Sequence, residues 1–318
     1  MMIGIDLGGS NLRAAIVGED STLSAHCKEE VGEPRDPESI VERCAKVIER
    51  TSGGKPTSAG IGIAAMLRDF EGTVANSPHL RWRDVPFGKM LARRLPSYKI
   101  GIYNDVNAIV YGESVAGSAR GSRDVLGVYI GTGIGGGLIS NGHLVEGTSN
   151  CSGEIGHAKV RWDENAAPCA CGSRGCVEAY AGGSNLQRRI TKELSAGAKS
   201  AAIALAGGNI ESVNAGHVDL AAAEGDEWAL GLWTEIAPLV AVTLGNAVAV
   251  LNPQRLVLGG GVLSRCPTLY TLITTTLMVA GNAPSLEALT IVEAELGDDA
   301  GIVGSAHLAG RGVSIVRP

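Results

Sequence analysis

Short apolar runs alternate with longer segments of helical spacing along this chain. Brief runs rich in isoleucine and valine and bounded by glycine, asparagine or aspartate are typical of buried strands, and they lie at Ile3–Ile5, Ala14–Val17, Gly60–Ala65, Ile100–Tyr103, Val125–Ile130 and Arg255–Leu258. Helical patterns occupy Pro37–Arg50, Val106–Ala116, Asp226–Leu251 and Asp298–Ala309. The pattern at Asp226–Leu251 stops at Asn252-Pro253 and leads into a strand. This alternation predicts an α/β fold.

Length and charge narrow the class of protein. At 318 residues the chain exceeds the usual size of one domain, so we expect two, joined by a hinge because no low-complexity linker separates them. A net charge of -6 without a Lys/Arg run argues against a nucleic-acid partner. The first residues lack the basic and apolar regions of a signal peptide, and no uninterrupted apolar run approaches membrane-spanning length. We therefore expect a cytoplasmic protein without a membrane partner.

Two glycine-rich turns each join one predicted strand to another. The first is Asp6-Leu7-Gly8-Gly9-Ser10-Asn11, and the second runs from Gly131 through Thr132 and Gly133 to Gly137. Glycines at a hairpin tip let backbone N–H groups and small hydroxyls approach phosphate oxygens. Taken alone, each is more often only a turn. A dinucleotide fingerprint is the competing interpretation of the second, but that motif opens a helix, whereas a strand pattern follows here.

A third glycine cluster, Gly259-Gly260-Gly261, follows the strand pattern Arg255–Leu258. Gly260 and Gly261 at the carboxyl end of a strand suit close approach of a flat ligand such as adenine or ribose. A tight strand-to-helix turn would use the same residues.

Three cysteines fall within eight residues and are interleaved with glycine. Cys169, Cys171 and Cys176 can converge on one metal, with His157 as the fourth ligand. A Cys3His set is closed and tetrahedral, which is typical of structural zinc. The alternative is a group of buried thiols that happen to be close in sequence. The other four cysteines show no disulfide spacing.

Carboxylates with possible chemical roles lie in two places. Asp105 follows the strand pattern Ile100–Tyr103 and is our candidate general base, because phosphoryl transfer to an alcohol needs an acceptor for the hydroxyl proton. The alternative is that Asn104 or Asp105 only caps the following helix. Glu154 and Glu178 flank the candidate zinc ligands and are suited to accept hydrogen bonds from sugar hydroxyls. One of them could instead lie on the solvated surface.

Together these motifs resemble the ROK family of sugar kinases and repressors, in order and over almost the whole chain. The resemblance implies an actin-like, ribonuclease-H-like fold of two α/β domains, with ATP and sugar in an interdomain cleft. It implies a small domain, 1–117, completed by the C-terminal helix within 299–318, and a large domain, 118–298, with the zinc loop. It also implies Asp105 as base, sugar ligands at Asn104, Glu154, His157 and Glu178, and zinc at His157, Cys169, Cys171 and Cys176.

The expected activity is ATP-dependent phosphorylation of a hexose, most simply the 6-hydroxyl of glucose. Mg2+ would bridge the phosphates, and the nucleotide would contact Asp6, Gly8, Gly9, Ser10, Asn11, Thr132, Gly133, Gly260 and Gly261. The chain begins at the Asp-Leu-Gly-Gly motif, without the helix-turn-helix domain that repressors of this family carry, which favours a kinase. We also expect a homodimer or homotetramer.

Two departures from the family pattern affect the choice of sugar. His79 stands where a sugar-contacting asparagine is usual, and Ala64-Ala65 replaces a common Pro-Gly. Added volume beside the sugar disfavours large substituents, so we expect glucose to be preferred over N-acetylglucosamine and N-acetylmannosamine. The alternatives are an N-acetylhexosamine kinase and a sugar sensor of the same fold without turnover.

Overall fold

The computed structural model describes residues 1–55 and 57–317. Within them the strands are β1 (Met2–Leu7), β2 (Asn11–Val17), β3 (Leu23–Glu30), β4 (Ser58–Ile63), β5 (Met66–Leu67), β6 (Val74–Ser77), β7 (Trp82–Val85), β8 (Lys99–Asn104), β9 (Val125–Ile130), β10 (Ile134–Ser140), β11 (His143–Leu144), β12 (Arg255–Gly259) and β13 (Thr290–Glu293). The helices are α1 (Pro37–Ser52), α2 (Phe87–Arg94), α3 (Asp105–Val115), α4 (Glu178–Ala181), α5 (Gly183–Ser195), α6 (Ala202–Leu205), α7 (Ala215–Ala223), α8 (Glu227–Leu251), α9 (Pro267–Ala280), α10 (Ala283–Glu287) and α11 (Ala300–Gly310). Every strand and helix predicted above is present.

The chain forms two compact units, which we call unit 1 and unit 2. Unit 1 comprises Met1–Leu126, Gly137–Gly153 and Ala294–Pro318, and unit 2 comprises Gly127–Gly136 and Glu154–Glu293. Compactness alone does not define a domain that folds independently. The domain boundaries expected from the sequence, 1–117 with 299–318 and 118–298, therefore stay a prediction.

Unit 1 is built on a five-stranded sheet of order β3-β2-β1-β4-β8. Strands β1, β4 and β8 are parallel, with Asp6 opposite Gly62 and Ile63 opposite Asn104. The carboxyl ends of parallel strands meet at one edge of a sheet. Asp6 at the end of β1 and Asn104 at the end of β8 therefore share that edge.

Helix α11 lies against β1, β4 and α3 at very short range. A side chain at Gly4 would collide with the carbonyl of Ile302, one at Gly60 with that of Ser305, and one at Gly304 with that of Ala108. The Ser305 hydroxyl also donates to the carbonyl of Ile5, 3.3 Å away. This close approach explains why a glycine-rich chain with only two phenylalanines still has a dense core.

The fully buried carboxylate of Glu113 joins α3 to the chain that precedes α11. It accepts hydrogen bonds from the backbone N–H groups of Ser118, Glu295 and Leu296, each at 2.9 Å. A buried carboxylate is tolerated when its oxygens are hydrogen-bonded in this way. Glu113 thereby fixes the start of the segment that leads into α11.

A second five-stranded sheet has the order β11-β10-β9-β12-β13. In unit 2, β12 and β13 are parallel. Helices α4 to α8 precede β12 along the chain, and α9 and α10 lie between β12 and β13. Helix α8 begins after Asp226, whose side chain accepts from the N–H of Ala229, and ends at Asn252 in a left-handed conformation. By length and composition α8 could cross a membrane, but residues such as Trp233 and Ile236 are buried in unit 2, as in a core helix.

Candidate functional site

The first glycine-rich turn is a tight hairpin between β1 and β2. The N–H of Gly8 donates to the carbonyl of Asn11 at 3.0 Å. Asp6 precedes the turn and lies opposite Arg13 on β2. The Arg13 guanidinium is 3.6 Å from the Asp6 carboxylate and 2.9 Å from that of Asp298. Asp6 is thus part of a small charged group beside the turn.

Burial controls the acidity of Asp6. It raises the pKa of this carboxyl to about 6, an effect that Arg13 opposes and Asp298 reinforces. Asp6 is therefore a carboxylate at neutral pH and loses its charge in mildly acidic solution. A partly buried carboxylate beside a glycine turn can orient Mg2+ through water.

His79 lies directly against the first hairpin. A Cβ added at Gly9 would be 2.9 Å from the Cβ of His79, and the backbone carbonyl of His79 accepts from Arg35 at 2.7 Å. The imidazole is exposed. The residue proposed from sequence to contact sugar is thus adjacent to the turn proposed to contact phosphate.

Asn104 and Asp105 occupy the junction of β8 and α3. Asn104 is the N-cap of α3: its Oδ1 accepts from the N–H of Asn107 at 3.1 Å, and its Nδ2 donates to the carbonyl of Ala65 at 3.2 Å. Asp105 is the first helical residue and is half-buried. A Cβ at Gly62, the neighbour of Asp6 across the sheet, would be 3.7 Å from the Cα of Asp105. Asn104 therefore caps α3, and Asp105, whose Oδ1 accepts from the N–H of Val106 at 2.9 Å, lies at the same sheet edge as Asp6.

The second glycine-rich turn is anchored by an acid of unit 2. The N–H of Gly131 donates to the carbonyl of Gly133 at 2.9 Å, which closes the turn between β9 and β10. The N–H of Ile134 donates to Oε2 of Glu178 at 2.8 Å. Glu178, expected from sequence to hold sugar, thus also fixes this hairpin.

The third glycine cluster packs behind the second turn. Gly260 has φ of +93° and lies so close to Ile130 that a Cβ would be 2.5 Å from that residue's carbonyl oxygen. The N–H of Val262 donates to the same oxygen at 2.9 Å. Only glycine suits this position, so the strand end is brought against the turn without an intervening side chain.

The predicted metal ligands do come together. The donor atoms of His157, Cys169, Cys171 and Cys176 all lie within 4.8 Å of one another. The Sγ atoms of Cys171 and Cys176 are 3.7 Å apart, as are Cys169 Sγ and His157 Nδ1. Sulfurs around tetrahedral zinc with bonds of about 2.3 Å are about 3.8 Å apart. The four residues therefore fit a zinc ion in number, chemistry and spacing.

The surroundings of this Cys3His cluster supply positive charge and order. Burial raises the pKa of the Cys169 thiol to about 12, so a cation is needed to hold it as a thiolate at neutral pH. The backbone N–H of Ser173 lowers the pKa of Cys171. The Lys159 ammonium lies 3.0 Å from Cys176 Sγ and also donates to the carbonyl of Arg174 at 2.8 Å.

Glu154 borders the cluster on the side of His157. Its Oε2 lies 3.7 Å from His157 Nε2. Burial raises the pKa of Glu154, His157 opposes the rise and Glu178 adds to it. The Nδ1 atom of His157 thus faces a thiol, and its Nε2 atom faces the carboxylate of Glu154. A metal ion bound at Nδ1 would therefore fix the orientation of the ring beside Glu154.

The site residues predicted from the sequence are divided between the two units. Unit 1 contains Asp6, Gly8, Gly9, Ser10, Asn11, His79, Asn104 and Asp105, and unit 2 contains Thr132, Gly133, Glu154, His157, Cys169, Cys171, Cys176, Glu178, Gly260 and Gly261. The sequence reasoning missed Arg13 and Lys159. Arg13 could have been found from the hairpin register, because it lies opposite Asp6 across the turn. Lys159 carries no such signal.

Comparison with known proteins identifies the family of the chain. A model described as the ROK family matches residues 2–311. A glucokinase of Streptomyces coelicolor is 31% identical over 316 residues, 97% of each chain. An N-acetyl-D-glucosamine kinase of Photobacterium profundum is 28% identical and covers 97% of this chain and 99% of its own. A ROK family glucokinase from Streptomyces griseus, solved with glucose and AMPPNP, has a TM-score of 0.78 at 29% identity. The match covers 98% of this chain and 99% of that structure.

Proposed function

This chain belongs to the ROK family, and we propose that it transfers the γ-phosphate of ATP to the 6-hydroxyl of glucose. It is an ATP-dependent sugar kinase with the actin-like ATPase fold, as its relatives and its α/β sheets indicate. The finer assignments, which are the sugar, the metals and the role of each residue, are our proposal.

The observation that carries the proposal is the position of Asp105. It follows the Asn104 cap at the sheet edge that also holds Asp6 and the first glycine turn. A carboxylate there can accept the proton of the attacking hydroxyl, while backbone N–H groups of the turn approach phosphate. Phosphoryl transfer asks mainly for positioning and charge neutralisation, and this edge offers both.

We assign the remaining residues by their surroundings. Mg2+ would bridge the phosphates, with Asp6 orienting it through water, and Thr132, Gly133, Gly260 and Gly261 would contact the nucleotide. Sugar hydroxyls would donate hydrogen bonds to the carboxylates of Glu154 and Glu178 and accept one from the imidazole of His157. Zinc at the Cys3His cluster would hold the loops that carry these three residues, and its closed ligand set leaves no position for bound water.

The preference for glucose rests on added volume. Ala65 carries a methyl group where the family pattern has glycine, and its carbonyl is already engaged by Asn104. His79 is bulkier than the asparagine of that pattern. An acetamido group at C2 needs space, so these residues favour an unsubstituted hexose. A glycolytic role in the cytoplasm and a homodimer or homotetramer belong to the same proposal.

A specificity panel tests the proposal. ADP release is measured with glucose, mannose, fructose, N-acetylglucosamine and N-acetylmannosamine, and we expect the highest kcat/KM for glucose. A clear preference for an acetylated sugar would make the chain an N-acetylhexosamine kinase, the second candidate that the Photobacterium relative favours. Sugar binding without turnover of any hexose would make it a sensor.

A further inference from the structure

A polar cavity lies in unit 1 at the end of α3 opposite Asp105. Its volume is about 290 Å³, and residues of α3, of the loop that follows it, of β10 and of the chain after α11 line it, among them Tyr111, Ser114, Arg120, Ser122, Ile139 and Arg311. Ten residues of helix separate Asp105 from Val115, a distance of about 15 Å. The cavity is therefore separate from the first glycine turn and from the proposed base.

The charge of the cavity wall is positive. Arg120 and Arg311 both line it, and no aspartate or glutamate does. Within residues 1–55 and 57–317 neither arginine has a carboxylate partner. Asp124, which immediately precedes β9, accepts instead from the N–H of Asn141 in the β10–β11 turn at 2.9 Å. The cavity wall therefore carries two guanidinium groups and no carboxylate to neutralise them.

The geometry of Arg311 is fixed by an aromatic ring. Its Nη1 donates to the Tyr111 hydroxyl at 2.7 Å, and its guanidinium carbon lies 5.7 Å from the centre of the same ring. This contact uses one of the five N–H donors and leaves the others available. Arg311 therefore presents an oriented donor fork, which loses little side-chain freedom when it binds an anion.

We propose that this cavity binds a small organic phosphate, a phosphate monoester on a short carbon skeleton. Two guanidinium forks match the several terminal oxygens of a dianionic phosphate. The hydroxyl of Ser114, which donates to the carbonyl of Tyr111 at 2.7 Å, keeps its lone pairs for a donor on the ligand. Val115 and Ile139 give the carbon skeleton an apolar wall. A volume near 290 Å³ lies at the lower limit for ligand pockets and is too small for a nucleotide.

A purely structural role for the arginines makes a different prediction. Helices α3 and α11 both end beside the cavity, and their terminal carbonyls carry partial negative charge. If Arg120 and Arg311 only neutralise those helix ends, the cavity will not bind an anion. Removing either arginine will then lower the melting temperature of the protein and change no binding property.

Calorimetric titration of the full chain separates the two. Inorganic phosphate, glycerol 3-phosphate and malate are titrated in the presence of saturating AMPPNP, so that the proposed nucleotide site is occupied. We expect saturable binding of both phosphate probes, glycerol 3-phosphate tighter, and affinity lower by tenfold or more in Arg120→Ala and Arg311→Ala. Arg93→Ala, an exposed arginine of α2 outside the cavity, is the matched charge control and should bind normally.

Three results would overturn the proposal. They are no saturable binding of either phosphate probe, an equal loss in Arg93→Ala, and malate binding as tightly as glycerol 3-phosphate. Arg120→Lys keeps the charge without the fork and should still weaken phosphate binding, which also covers the case in which Arg311→Ala fails to fold.

Discussion

The two units position the carboxylates of the proposed site by different means. In unit 1, Asp6 and Asp105 lie at strand and helix ends, so regular secondary structure sets their places. In unit 2, Glu154 and Glu178, the first residue of the short helix α4, border loops that close around the four proposed metal ligands. The first pair therefore needs only the folded sheet, whereas the second pair needs the cluster to be intact. The chemistry proposed for unit 1 and the sugar binding proposed for unit 2 should accordingly fail independently.

The largest expected effect is in unit 1. Asp105→Asn removes the proton acceptor while leaving the Asn104 cap, so kcat should fall by about a hundredfold or more with sugar affinity and zinc content nearly unchanged. Steady-state kinetics measures kcat, a binding titration measures sugar affinity, and metal analysis measures zinc content. Asp84→Asn, an exposed acid of unit 1, is the control. A loss of only a few-fold would assign Asp105 a structural role.

The corresponding change in unit 2 is Cys171→Ala. Without its ligand the cluster should lose the one zinc expected per chain, and the sugar Kd should rise by roughly ten- to a hundredfold as Glu154, His157 and Glu178 lose their support. Cys27→Ala, a thiol of unit 1 outside the cluster, should keep both properties. Freshly purified, reduced wild-type protein that contains no zinc would refute the metal assignment.

The acidity of Asp6 predicts a pH dependence that originates in unit 1. Its pKa is raised to about 6, so the carboxylate is present above that pH and is protonated below it. At limiting Mg2+, kcat/KM should fall about tenfold per pH unit below 6, and saturating Mg2+ should move the fall to lower pH. A profile that is flat down to pH 5 would separate Asp6 from catalysis.

The smallest effect sharpens the same test. Arg13 lowers the pKa of Asp6, so Arg13→Gln should move the acidic limb of the profile to higher pH by less than about one unit. The profile of Arg93→Gln, which also loses one exposed positive charge, should not move. A shift to lower pH would mean that Arg13 does not interact with Asp6 as the structure indicates.

Local sequence signals predicted the parts of this molecule that are governed by local chemistry. The glycine turns, the strands around them and the Cys3His cluster were predicted because short spacing and residue type determine them. Strand β3 was not predicted, since Leu23–Glu30 lies at a sheet edge and is too polar to show an apolar alternation. The short strands β5 to β7 were missed because four residues or fewer carry no period.

Long-range electrostatics escaped prediction for a physical reason. Glu113 lies within a predicted helix, yet its burial depends on N–H groups of Glu295 and Leu296 that are distant in sequence. Asp298 reaches Arg13 only because that segment is held in place. A contact between residues that are distant in sequence produces no recognisable pattern in the sequence around either residue.

The packing of α11 also sets the order in which the protein can mature during synthesis. Strand β1 is synthesised well before the helix that covers it, since the bonded residues Ile5 and Ser305 are 300 positions apart. Until α11 is free of the exit tunnel, the tightly fitted glycine face of β1 and β4 has no cover, and unit 1 cannot complete its core. Strands β12 and β13 of unit 2 are synthesised before α11, so the sheet of unit 1 is the part of the molecule that depends on the later helix.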